Sequence, residues 1–101
     1  MTWITFNVIE ARNHLLLKGF VYTLRTWNNY PSICNARYRI NNKWIDIGRV
    51  KVTKILDEVS HADQLMNYYF GSGFDSPWKW WNAGLIVHGN NKFVLYKVEG
   101  I

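Results

Sequence analysis

Lys18-Gly19-Phe20-Val21-Tyr22-Thr23-Leu24-Arg25-Thr26-Trp27 is the stretch on which the reading of this chain turns. A lysine suits the negative end of a helix and a glycine takes the left-handed turn beyond it, so Lys18-Gly19 closes the helical pattern that precedes them. The β-branched and aromatic run that follows predicts a strand. At the strand period of two, Val21, Thr23 and Arg25 share one face and Tyr22, Leu24 and Thr26 the other. A hydroxyl beside a guanidinium makes a poor core and a good ligand for an oxyanion, so the face carrying Thr23 and Arg25 is the candidate site. The competing reading is a half-exposed strand with a solvated arginine.

Upstream, Thr2 to Val8 alternates loosely and predicts a first strand, after which Asn7 is placed to cap a helix with apolar positions Val8, Ala11, Leu15 and Leu16. Downstream, Asn28-Asn29-Tyr30-Pro31-Ser32 is turn chemistry. From Ala36 alternation returns, with Ala36, Tyr38 and Ile40 opposed to Arg37 and Arg39, and Asn41-Asn42 predicts a hairpin turn. Lys43 to Ile47 reads as the return strand. Gly48 leads into a third, on which Val50 and Val52 face inward while Arg49, Lys51 and Thr53 face out. Three consecutive strands thus present cations on one face.

Ser60-His61-Ala62-Asp63 has capping-box spacing, and Ala62, Leu65, Met66, Tyr69 and Phe70 behind it predict an α-helix that Gly71 and Gly73 end. Asp57 and Glu58 then favour the dipole of that helix. Ser76-Pro77 opens another helix with Trp78, Trp81 and Leu85 as its buried stripe and Trp80 off it. Gly89-Asn90-Asn91 reads as a turn and Lys92 to Val98 as the closing strand. The expected fold class is α+β, a single domain over residues 1–101, with a small barrel-like sheet of five to six strands and flanking helices.

Charge is distributed unevenly. Nine of the 12 basic residues precede residue 55, where Glu10 and Asp46 are the only acids, whereas the remainder is net acidic. Clustered cations gain by releasing counterions from a phosphate chain, so a polyanionic partner is expected. Aromatic residues make up 17% of the chain, enough for some rings to stack on a ligand as well as fill the core. Cys34 is the one cysteine and has no companions for a disulfide or zinc site, and His14, His61 and His88 show no metal-ligand spacing. No metal, cofactor or catalytic group is therefore expected. The absence of a signal-peptide pattern and of a membrane-length apolar run leads to an expected cytoplasmic location, including the host cell if the source is a virus.

The order of elements, the Gly19 to Arg25 strand, the Gly48 to Ile55 strand, and Ser72-Gly73-Phe74 ahead of the Trp-bearing helix together resemble the ASCH domain of the PUA-like superfamily. The resemblance spans nearly the whole chain through short motifs. It implies a curled β-barrel and a cleft between barrel and helices that serves RNA or modified nucleotides. Some small members, similar to N4-acetylcytidine amidohydrolases, use a Lys, a Thr and a Glu. The Thr matches Thr23 and a companion Arg matches Arg25. Phe20 and Val21 stand where the Lys would be, and Ser72 stands at the Glu position. With two of three groups unmatched, the expectation leans away from an enzyme.

The leading expectation is a non-catalytic RNA-binding module, with Lys18, Arg25, Arg37, Arg39, Arg49 and Lys51 on phosphate. Tyr22, Trp27, Tyr30 and Trp80 are the candidates for stacking on bases, and Thr23 and Ser72 are expected to line one basic hollow with Arg25. Two others are a nucleoside amidohydrolase or ribonuclease using Lys18, and a protein-interaction or homo-oligomerising domain. The Trp and Asn content gives an impression of the compact orphan proteins of archaea and their viruses.

Overall fold

Hydrophobic side chains on both faces of the last strand set the architecture of the computed structural model, which describes residues 2–89 and 92–101; the predicted turn at Asn90-Asn91 lies outside them. Along β5 (Phe93–Gly100), Phe93, Val94, Leu95, Tyr96 and Val98 are all buried. A strand apolar on both sides belongs in the middle of a sheet covered on both sides. Accordingly, the sheet among the described residues runs β1 (Trp3–Thr5), β3 (Ile33–Ile40), β4 (Lys43–Val59), β5, β2 (Phe20–Arg25), parallel between β1 and β3 and antiparallel elsewhere. The α+β class and mixed sheet follow the sequence reading. No ladder joins β1 to β2 among the described residues, so the sheet is not closed into a barrel.

Helix α1 (Ile9–Lys18) ends at Gly19, whose N–H donates to the Leu15 carbonyl, as Lys18-Gly19 predicts. Asn7 does not cap it. The helix starts from Val8, and the Asn7 side-chain oxygen accepts the Arg39 backbone N–H (2.9 Å) instead. Ala11 and Leu15 pack with Ile4, Val21, Ala36, Val50, Val52 and Val98 into a core on one sheet face. Leu16, expected inward, is 53% exposed.

The opposite face is covered by α2 (Pro77–His88) and by two 3-10 turns, Ala62–Leu65 and Tyr69–Gly71. An α-helix was expected here. Ala62, Leu65 and Gly71 are buried and Tyr68 is partly buried, a three-residue period that 3-10 turns suit, while Tyr69 packs against the core beside Tyr68, as expected. The i to i−3 bonds from Met66, Tyr68, Gly71 and Ser72 follow that period, and Met66 and Phe70 are left exposed. The cap moves too: the Gln64 side chain accepts the N–H groups of Ser60 and His61. Asp57 and Glu58 end β4 and pair with Lys54 and Lys92 rather than with a helix.

The predicted return strand and third strand are one bent strand, β4. Asn41 and Asn42, both at positive φ, make the hairpin turn between β3 and β4 as expected. Between the Ala36–Gly48 and Arg37–Asp46 pairs, Ile47 is an extra residue, and Gly48 at φ 117° makes the bulge. Gly73 sits at φ 91°, and a Cβ there would collide with the Glu10 backbone carbonyl, so this loop is pinned to the start of α1. Gly73→Ala is expected to destabilise by about 2–4 kcal/mol through strain plus collision, and Gly48→Ala, with open space around it, by about 1–2 kcal/mol through strain alone. Urea unfolding of the two variants checks the order, and equal losses would count against it.

Candidate functional site

Because β1 and β2 are the two free edges of the sheet, the gap between them opens beneath α2. Ser76 starts that helix by accepting the Lys79 N–H (3.1 Å), and Pro77 fits its first position. The phase thus set buries Pro77, Trp80 and Gly84 and leaves Trp78 60% exposed. Of the expected stripe, Trp81 and Leu85 pack against the core while Trp78 does not, and Trp80, expected off the stripe, belongs to the core.

The gap is a cleft of about 210 Å³, walled by Thr5 to Val8 and Ala11, by Thr23 to Arg25, and by Phe74, Trp80 and the Ala83 to His88 side of α2. At about 30 Å³ per water it holds roughly seven waters, small beside a drug-sized pocket and suited to one ring or one anionic group. Most of the wall is apolar. The polar groups are Thr5, Asn7, Thr23, Arg25 and His88, and among the described lining residues there is no Asp, Glu or Lys.

Arg25 is the dominant charge. Its guanidinium lies 4.7 Å over the Phe6 ring, so a cation–π contact links the two sheet edges, and its Nε donates to Thr23 Oγ1 (3.2 Å). Burial holds the Arg25 pKa below its ordinary value, opposed by the hydrogen-bonding Tyr30 side chain. The group remains protonated, so the shift reports the cost of desolvating a cation that pairs with no carboxylate among the described residues. His88 closes the other end. The Leu24 carbonyl can only accept, so His88 Nε2–H donates to it (3.1 Å), and the neutral ring keeps Nδ1 as an acceptor. Burial first, then the charge of Arg25, lowers the His88 pKa, with the Leu24 bond opposing.

Of the residues expected to bind nucleic acid, the fold brings only Thr23, Arg25 and Trp80 to this cleft. Ser72 does not converge with them: it is fully buried, donating to the Tyr69 carbonyl (2.6 Å) and accepting the Phe74 N–H (3.1 Å), which builds the turn instead. At 4% exposure Trp80 is a wall rather than a stacking platform. Tyr22 is held edge-on by Phe20, Tyr68 and Phe70. Trp27 is 45% exposed beside Tyr30, away from the cleft lining, and Lys18 ends α1 outside it.

Arg37, Arg39, Arg49 and Lys51 do come together, on the other face of the sheet. The expectation of cations aligned there holds, on two strands rather than three, and they form a surface separate from Arg25. The same face carries Trp3 and Trp44, which sequence reasoning missed. In plain alternation Trp44 is out of phase with Arg49; the extra residue at the Gly48 bulge restores it to the same side. His88 was also missed, because its position was read as a loop and is the last residue of α2.

No group of His, Cys, Asp and Glu among the described residues could hold a metal ion, and no described helix is long and apolar enough to cross a membrane. Cys34 is buried, with Sγ 3.4 Å from the Pro31 carbonyl, and burial raises its pKa. Comparison with protein-family models, with curated proteins and with solved structures found no match for the chain.

The histidines set a pH dependence. His14, by burial and then by Lys18, and His88 both have pKa values below the ordinary 6.5 when folded. The unfolded chain therefore binds more protons just below pH 6.5, so their stabilising effect is complete above that pH and is lost as pH falls through the folded values. Melting at pH 7.5 and pH 5 should show a lower Tm in acid, and a smaller drop in His88→Gln. An unchanged drop would remove His88 from the account.

Proposed function

We propose that this chain is a non-catalytic nucleic-acid-binding module, acting on RNA, whose cleft takes a single nucleotide at its polar rim. The observation that carries this reading is the Arg25 guanidinium, partly buried among apolar walls with no carboxylate paired to it among the described residues. An uncompensated cation in a low-dielectric recess lowers its free energy by accepting an anion, and a planar fork suits a phosphate or a base edge. The Thr23 hydroxyl and His88 Nδ1 add one adaptable group and one acceptor to the same lining, while Phe6 and Phe74 offer apolar contact. The basic first half of the chain and the resemblance to the ASCH domain support the same class, and with it a PUA-like curl of the sheet around the cleft. The amidohydrolase alternative gains nothing from the cleft, since Lys18 lies outside it and Ser72 is spent on a turn.

Cytidine monophosphate titrated against isotope-labelled protein should shift the amide signals of Thr23, Arg25 and His88. Arg25→Gln should weaken binding by about 1–3 kcal/mol, while inorganic phosphate alone competes weakly. If those signals stay fixed at millimolar nucleotide while the protein remains folded, the cleft is not a nucleotide site.

A further inference from the structure

Two helices do not cover this sheet. The part of the outer face formed by β1, β3 and the first half of β4 is left open, and it carries an alternation of cations and indoles. Arg37 lies between two of the rings, its guanidinium carbon 3.9 Å from the Trp44 centroid and 4.9 Å from that of Trp3. Arg39 sits 5.4 Å from the Trp44 ring. Arg49 and Lys51 follow on β4, in register with Asn35 and Ile33.

Three features tell what this face is for. The first is charge: none of these four cations pairs with a carboxylate among the described residues, and Asp46, directly across from Arg37, uses Oδ1 to accept the Gly48 N–H (2.8 Å). The second is the unused donor: Arg37 Nε is shielded from solvent and has no hydrogen-bond partner. The third is the rings, with Trp3 36% and Trp44 47% exposed on a face where packing does not require them. Cations alone would suit an acidic peptide. Flat rings interleaved with them suit a chain that alternates charge with planar groups, which is a single strand of nucleic acid.

We infer that the Trp3–Arg37–Trp44–Arg39 face is a second contact surface, on which a single-stranded segment stacks bases against the two indoles and places phosphates on Arg37, Arg39, Arg49 and Lys51. The inference rests on the nucleic-acid reading and extends it. Thr5 lines the cleft and Trp3 the face, two residues apart on one strand, about 7 Å, so a strand leaving the cleft passes directly onto the indoles. The cleft reads one nucleotide, and the open face holds its neighbours.

The test uses the whole chain, a labelled 12-nucleotide oligouridylate followed by anisotropy, and cytidine monophosphate as the readout of the cleft. The unsubstituted protein should bind the oligomer with a log–log salt slope of about −2 to −3, as four phosphate contacts imply for a single strand. Trp3→Ala/Trp44→Ala should weaken the oligomer about tenfold or more and leave cytidine monophosphate within twofold. Arg37→Gln should reduce the slope by about 0.7. Both variants alter half-open surface, and an unchanged Tm would show that they fold. Oligomer binding unaffected by the Trp pair, or a polyglutamate peptide binding this face as tightly as the oligomer, overturns the inference. Loss of the oligomer in the Trp variant, in a protein that never binds the mononucleotide, would uphold this face and discard the cleft.

Discussion

Strand β5 must be covered on both sides, and the rest of the molecule is arranged around that requirement. The chain has two α-helices of 10 and 12 residues to do it, about 15 and 18 Å long, against five strands that span roughly 24 Å. Helix α1 takes the face of Val94, Tyr96 and Val98. The second helix and the two 3-10 turns take the face of Phe93 and Leu95, with Leu65 in that core and Tyr68 and Tyr69 packed against it. What lies beyond reach of these elements stays open. The exposed Arg–Trp face is therefore a consequence of where the covering runs out.

The second consequence is the cleft. With β1 and β2 at opposite ends of the strand order, their edges meet only by curling of the sheet, and the contact between them is made by side chains, Arg25 over Phe6. A cation at that seam holds the edges near one another without sealing them. The same residue is thus both a structural link and the dominant charge among the described residues lining the recess. The Phe6 ring, the Thr23 hydroxyl and the Tyr30 side chain explain why a guanidinium is tolerated beside Val94.

The bulge at Gly48 decides what the open face contains. Were the strand to alternate straight through from Val50 without this one-residue shift, Trp44 and Asp46 would point toward Ile4 and Ala36, and Ile45 and Ile47 would face water, a reversal of the polarity of half a strand. Gly48 takes the φ of 117° that this requires, and Asp46 closes the bulge by accepting its N–H. One glycine thereby aligns the indole of Trp44 with the guanidinium of Arg37.

Local chemistry was enough to place the elements whose signal is local. Lys18-Gly19 stopped the first helix, Asn41-Asn42 turned the hairpin, Ser76-Pro77 began the last helix, and alternation put Arg37 with Arg39, and Arg49 with Lys51, on one side of the strand, because each depends on neighbours within a few residues; that the two pairs share a face depends on the register shift at Gly48. Tertiary structure decided the remainder. Ser60 to Phe70 has apolar positions compatible with both 3.0 and 3.6 residues per turn, and only the shape of the sheet beneath selects between them. Trp80 rather than Trp78 is buried because a core waits on that side. Thr23 and Arg25 face the cleft, and Ser72 does not, because strands distant in sequence meet at an edge that no local period encodes.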